Sequence, residues 1–242
     1  MGGGAGGASS TRGFFFGGRL SGSPAGEKII ETVTFASGGE ATKFGELTVG
    51  RRAIAAVTNN TRAVMCSGDT PATNTMDYIT MASEGNATDF GDITRQAAGY
   101  GAGGSSQTRG VITGCSPAPN SDPIDFITFS TTGNATDFGD LQYGNAYRGG
   151  LASNTRGIII NGQNDQTTDF ITISSTGNSD SFGEITNENM GGATFSNQIK
   201  GFRAGGSDGG THTNEIIAMT ISTTGSFFDF GDMTLTGTYM NG

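Results

Sequence analysis

A basic residue recurs at one position along this chain, as Arg12, Arg62, Arg109, Arg156 and Lys200. An acid recurs after a Phe-Gly step, as Glu46, Asp92, Asp140, Glu184 and Asp232, and a third set of acids stands at Glu31, Asp77, Asp125 and Asp169. Two chemistries fit these residues. Five cations facing a common axis would bind an anion or a sugar; alternatively, each cation would form a hydrogen-bonded ion pair with an acid of its own or the neighbouring unit. One active site needs no five copies, so the expectation is that residues present in every unit hold the units together. Other chemistry is thinly provided. One histidine, His212, and two cysteines, Cys66 and Cys115, cannot build a zinc site. The chain also has no P-loop or Cys-His pairing. The expectation is therefore no catalytic residue, no metal and no cofactor.

These residues sit in an internal repeat, the first thing to look for in a chain of this kind. Its most regular segment reads EATKFGELT at 40-48, NATDFGDIT at 86-94, NATDFGDLQ at 134-142, NSDSFGEIT at 178-186 and SFFDFGDMT at 226-234. A second segment precedes it: STRGFFFGG (10-18), NTRAVMCSG (60-68), QTRGVITGC (107-115), NTRGIIING (154-162) and QIKGFRAGG (198-206). Between them lie alternating stretches such as DYITMAS, DFITFST and DFITISS, bounded by glycine clusters, which is the pattern of short strands and not of helices. A Gly/Ala-rich stretch opens each unit. Four strands in a unit of about 47 residues make one propeller blade, and five units make five blades.

The expected fold is thus all-β, a five-bladed β-propeller of four-stranded blades occupying 1-242 as one domain. The expected repeats run approximately 2-50, 51-95, 96-142, 143-187 and 188-235, with a tail at 236-242 that would latch the ring near the N-terminus. The Gly/Ala strand of each blade would be innermost, where little room is left around the axis. Phe44, Phe90, Phe138, Phe182 and Phe230 are expected in the core, each able to bury about 150–250 Å².

Composition narrows the function. The chain has 43 Gly, only 33% hydrophobic and 14% charged residues, and a net charge of −9, which disfavours a nucleic-acid partner because phosphate binding needs a basic face. No apolar run approaches the roughly 18 residues of a membrane-spanning helix, and MGGGAGGASS lacks the features of a signal peptide. Asn86-Ala87-Thr88 and Asn134-Ala135-Thr136 match the glycosylation acceptor pattern, but the repeat generates that wording by itself. The units differ most between their second and third strands, where all five Pro and His212 lie. A ligand face would therefore be built there, from Glu27, Lys28, Asp69, Asn74, Asn120, Asp122, Asn164, Asp165, Asp208 and His212.

The order of a Gly-rich strand, an apolar strand ending in a glycine pair (FFFGG at 14-18, RAGG at 203-206), a third strand, and an aromatic before Leu/Ile-Thr resembles the kelch repeat. Phe stands where that family carries Trp, and the glycine pair is complete in two units only. The narrower wording GNATDFGD resembles kelch-like repeat proteins of tailed phages of marine bacteria and cyanobacteria. That resemblance implies a non-catalytic structural, decoration or attachment protein on the virion surface. Its partners would be other virion proteins, in multiple copies, and host-surface carbohydrate, without membrane insertion. The alternatives are a glycan-processing propeller enzyme and an intracellular kelch-type adaptor. Against the first, kelch-type oxidases need more than one histidine, and the Asp-box of sialidases is missing.

Overall fold

The computed structural model describes residues 5–97, 101–113, 122–144, 147–160, 162, 165–185, 191–208 and 210–237. The chain is all-β, with five antiparallel four-stranded sheets arranged as a five-bladed β-propeller. Blade 1 comprises β1 (Ala5–Ala8), β2 (Arg12–Phe16), β3 (Ile29–Thr34) and β4 (Thr42–Glu46). Blade 2 comprises β5 (Ala55–Thr58), β6 (Arg62–Cys66), β7 (Thr73–Thr80) and β8 (Thr88–Ala97). Blade 3 comprises β9 (Ala102–Ser105), β10 (Arg109–Thr113), β11 (Pro123–Thr128) and β12 (Thr136–Asp140). Blade 4 comprises β13 (Gly149–Ala152), β14 (Arg156–Ile160), β15 (Thr167–Thr172) and β16 (Asp180–Glu184). Blade 5 comprises β17 (Ala193–Ser196), β18 (Lys200–Asp208), β19 (Thr211–Thr220) and β20 (Phe228–Asp232). Strands follow sequence order in every sheet. One boundary differs from the sequence reading: β8 continues to Ala97 because β7 starts early enough for Thr73 to pair with it.

The inner strands β1, β5, β9, β13 and β17 pack side by side, each against the next. Their small residues follow from the spacing. A Cβ on Gly103 would stand 2.6 Å from the carbonyl oxygen of Ala56 in blade 2, and one on Gly150 would fall on the Gly103 carbonyl. Backbone thus approaches backbone around the axis, and glycine has no side chain to obstruct it.

Each joint between consecutive blades has a trailing face from one blade and a leading face from the next, so blades 2, 3 and 4 bury both faces. In the first joint, Phe14, Phe16, Ile30, Phe44 and Leu47 of blade 1 pack on Ala63, Met65, Ile79 and Met81 of blade 2. Blade 2 packs on blade 3 through Val64, Cys66, Met76, Phe90 and Ile93 against Ile112, Ile127 and Phe129. The equivalent clusters join blade 3 to blade 4 and blade 4 to blade 5. The phenylalanine of the Phe-Gly step is the centre of each trailing face, with Phe44, Phe90, Phe138 and Phe182 all buried.

A β-bulge in the third-to-fourth strand pairing places the glycine after that phenylalanine at the joint. Gly91 and Gly139 have φ of 135° and 145°, and a Cβ on either would fall on the carbonyl of Gly133 or Gly177 in the next blade. The phenylalanine carbonyls accept there from the next blade, with Gly85 N–H donating to Phe44, Gly133 to Phe90, Gly177 to Phe138 and Gly225 to Phe182.

A fifth joint, from blade 5 to blade 1, is not formed among the described residues. Among the described residues no backbone hydrogen bond and no buried hydrophobic cluster spans blade 5 and blade 1. Phe230 is 57% exposed where its four counterparts are buried, which corrects the expectation that all five are core. On the other side Phe15 is 52% and Phe35 57% exposed, whereas Met65 and Met81 at the same positions of blade 2 are buried. The tail does not latch the ring within the described residues: Gly237 exchanges hydrogen bonds with Gly206 and Thr213 of its own blade, and 238–242 lie outside the described residues.

Candidate functional site

The recurrent cations do not pair with the recurrent acids, which corrects the sequence expectation. Nη1 of Arg62, Arg109 and Arg156 donates to the carbonyl oxygens of Phe129, Ile173 and Ile221, each in the following blade, at 2.5, 2.9 and 3.1 Å. The same guanidinium lies over an aromatic ring of its own third strand: Arg62 over Tyr78, Arg109 over Phe126 and Arg156 over Phe170, at 4.8, 4.3 and 4.2 Å from the centroids. Lys200 sits 5.3 Å over Phe228, and among the described residues no blade packs after blade 5 for it to reach. An arginine satisfies this geometry because its planar head stacks while its edge donates. A carboxylate is not needed: the carbonyl left over at the end of the next blade's third strand is the acceptor. These cations therefore lie between blades and do not form a ring at the axis.

Replacing Arg109 by Gln should remove both contacts at one joint. The expected loss is about 1–2 kcal/mol of stability, a charge-assisted hydrogen bond plus a cation–π contact at a half-buried site, read as a lowered denaturation midpoint.

The acids after the Phe-Gly step are placed for another reason. It is their backbone that works: the N–H groups of Glu46, Asp92 and Asp140 donate to the side-chain oxygens of Asn86, Asn134 and Asn178 in the next blade, at 3.0–3.1 Å. The carboxylates themselves are partly or fully exposed in all five units, Glu184 and Asp232 included. Glu46 meets exposed Lys43 at 2.6 Å, and that hydrogen bond and charge hold its pKa below the usual value.

The third set of acids is the buried one. Asp77, Asp125 and Asp169 are shielded from solvent, and each takes hydrogen bonds from the end of the preceding blade. Thr48 donates to Asp77 through both N–H and hydroxyl, Thr94 does the same to Asp125, and the Gln142 N–H donates to Asp169, whose Oδ2 also receives the Ser179 hydroxyl. Glu31, at the same position of blade 1, is only half-buried, and among the described residues no blade packs before it.

A second group of arginines faces these aspartates, and the repeat alignment missed it. Arg51 is fully buried, with Nη1 3.0 Å from Asp77 Oδ2 and Nη2 donating to the Met65 carbonyl at 3.0 Å. The Nη1 contact is an ion pair by distance, its N–H pointing off the line of a hydrogen bond. Arg95 and Arg148 act on Asp125 and Asp169 through their charge. Arg148 is anchored by donating from Nη2 to the Tyr143 carbonyl.

Burial nevertheless raises the pKa of Asp125 and Asp169, outweighing the hydrogen bonds and arginine charge that pull it down. An aspartate that binds its proton more tightly when folded adds stability below its unfolded pKa, and this contribution is lost as pH rises through the folded value. Asp125→Asn removes the titration while keeping an oxygen for Thr94. Thermal unfolding followed across pH should show the wild-type midpoint falling, relative to this variant, as pH rises just above the ordinary aspartate value. Parallel curves would contradict the assignment.

The proposed ligand-face residues are scattered. Asp69 pairs with Arg52 at 2.9 Å, Lys28 donates to the Thr48 carbonyl at 2.9 Å, and Asp165 accepts from the Thr167 N–H at 2.8 Å. Glu27 uses its backbone to join the ends of neighbouring strands, and Asp122 uses its carbonyl to accept from Leu141. Asn74, Asp208 and His212 lie in strands and not in loops, a correction with a simple cause: β7 starts early, and β18 and β19 extend into a long hairpin. Asn120 and Asn164 lie outside the described residues, as does Cys115; Cys66 is buried, its thiol donating to the Val64 carbonyl at 3.8 Å. Identical strand order in every blade still brings the second-to-third-strand connections to one end of the propeller.

At the opposite end lies a polar cleft of about 430 Å³ between blades 3 and 4, lined by Ser106, Gln107, Thr108, Arg109, Asn154 and Ser174 together with Ile173. Hydroxyls, amides and one shared guanidinium give it hydrogen-bonding capacity without a carboxylate pair. Among the described residues no group of three His, Cys, Asp or Glu could hold a metal ion. No protein-family model matches the chain, and no curated protein matches its sequence.

Proposed function

We propose that this chain is a non-catalytic display module of a tailed-phage particle, a structural or decoration component whose exposed end contacts host-surface carbohydrate. One observation carries the non-catalytic part. Most of the repeated polar groups, the Arg62, Arg109 and Arg156 heads, the Asp77, Asp125 and Asp169 carboxylates and the asparagines of the GNAT segments, are engaged in joining one blade to the next. A group committed to holding a joint is not available to transfer a proton or attack a substrate. What remains for recognition is surface, foremost the end that carries the second-to-third-strand connections, whose residues differ in every blade. The virion assignment rests on the likeness of the GNATDFGD wording to phage repeat proteins.

Two measurements test this reading. An antibody raised against the propeller, imaged on intact particles by electron microscopy, should decorate the virion; unlabelled particles would overturn the assignment. Incubated with host-cell polysaccharide, the protein should bind without shortening it. A cleaved product would establish the glycan-processing alternative instead.

A further inference from the structure

We propose that the leading face of blade 1 and the trailing face of blade 5 are the two halves of a head-to-tail interface between copies of this chain. The chain already builds this joint four times, so its parts are known, and both end faces keep them. On blade 5, Phe230 is exposed and stacks edge-on against Phe202 at 5.1 Å, with Lys200 at the arginine position and Thr234 where Thr48 and Thr94 stand in blades 1 and 2. On blade 1, Phe15 and Phe35 are exposed where blade 2 buries Met65 and Met81, and Glu31 stands where blade 2 has Asp77.

Glycine carries the same signal. A Cβ on Gly231 would meet nothing, whereas one on Gly45, Gly91 or Gly139 would strike the backbone of the next blade. Among the described residues, the space that an incoming main chain fills at the other joints is open at blade 5.

The four formed joints fix the register. Gly85 and Ala87 donate to the carbonyls of Phe44 and Glu46, and Gly133 and Ala135 donate to those of Phe90 and Asp92. By the same alignment, Gly39 and Ala41 of one copy donate to the carbonyls of Phe230 and Asp232 of another. Lys200 then reaches the Phe35 carbonyl, as Arg62 reaches that of Phe129, and Thr234 donates to Glu31, as Thr48 donates to Asp77.

A second copy fits these faces better than the chain's own far end. Bringing blade 5 round to blade 1 would bend every joint further and drive the inner strands together, yet these already touch backbone to backbone through Gly103 and Gly150. A second copy docks as a rigid body. The resulting interface is heterologous, and it propagates into a larger ring or a filament according to the angle it sets.

The experiment uses two single variants, Phe35→Asp and Phe230→Asp. Both side chains are exposed in the single chain, so each variant should fold with an unchanged circular dichroism spectrum. The wild-type protein is expected to show, by light scattering after size exclusion, masses that are multiples of 24.6 kDa and rise with concentration. Each variant alone should stay at the monomer mass, because one half of its interface is lost. Mixed in equal amounts, they should form a species of twice the chain mass and nothing larger, since the intact trailing face of one meets the intact leading face of the other. A wild-type protein that is monomeric at every concentration, single variants that still associate, or a mixture that stays monomeric would each overturn the proposal.

Discussion

Gly139→Ala is expected to destabilise the propeller by about 3–5 kcal/mol, whereas Gly133→Ala should lose only about 1–2 kcal/mol. The two glycines have nearly the same backbone, φ of 145° and 148°, so the strain of placing a Cβ on a left-handed residue is common to both. They differ in what the Cβ meets. At Gly133 there is open space; at Gly139 the new atom falls on the carbonyl of Gly177 and on the Asn178 nitrogen of the next blade. That approach carries the hydrogen bonds from Gly177 to the Phe138 carbonyl and from the Asp140 N–H to Asn178, so the joint must open to admit one methyl group. Chemical denaturation of the two variants would measure the difference. Equal losses would mean that the joint between blades 3 and 4 tolerates an added atom and that its backbone contact is not what holds it. Gly231→Ala extends the comparison to the free end, where the isolated chain should lose no more than Gly133→Ala.

Arg51→Met should also be severe, with a loss of about 3–5 kcal/mol, because it leaves Asp77 buried beside no cation. Arg51 is fully buried under Gly26 and Gly68, so water cannot replace the lost charge. The two Thr48 hydrogen bonds remain, and they favour a carboxylate that no longer has a counter-charge. The double variant Arg51→Met, Asp77→Asn removes both charges and should recover about 1–3 kcal/mol of that loss, since neighbours in one network are not additive. A double-mutant cycle by denaturation checks this. If the two losses simply add, the pair makes no net contribution and Arg51 acts only by filling space.

The contrast between the two sets of arginines shows what a linear alignment can reveal. Arg62, Arg109 and Arg156 were legible because they fall at one register within a strand, where the spacing is fixed by pairing. Their partners were not, because a backbone carbonyl has no residue type; Phe129, Ile173 and Ile221 accept through an atom that every residue carries. The second set was hidden by spacing. Arg51 lies three residues after Thr48, Arg95 one after Thr94 and Arg148 six after Gln142, so no column of the repeat contains them. Arg51 and Arg148 lie in connections between blades and Arg95 in the extended end of β8, so their distance from the fourth-strand motif varies while the aspartate they face stays in a strand. Only folding converts three different offsets into one spatial relation.

Phe230 marks the other limit. Its sequence context, DFGD, matches that of Phe90 and Phe138, and nothing in the chain distinguishes a phenylalanine that will be covered from one that will not. Burial of this face depends on the next blade, and blade 5 has none within the described residues.

The sequence by itself determined the strand composition, the four-strand unit, its five copies and the small residues of the inner strand. All of these follow from local rules: alternation, turn residues, and the limited space around an axis. The tertiary structure decided which groups meet across a joint, that Arg62, Arg109 and Arg156 serve carbonyls and aromatic rings, and that among the described residues four joints form while two apolar faces stay exposed. Those outcomes depend on the angle at which one blade packs on the next, a property of backbone contact distances that a one-dimensional repeat does not encode.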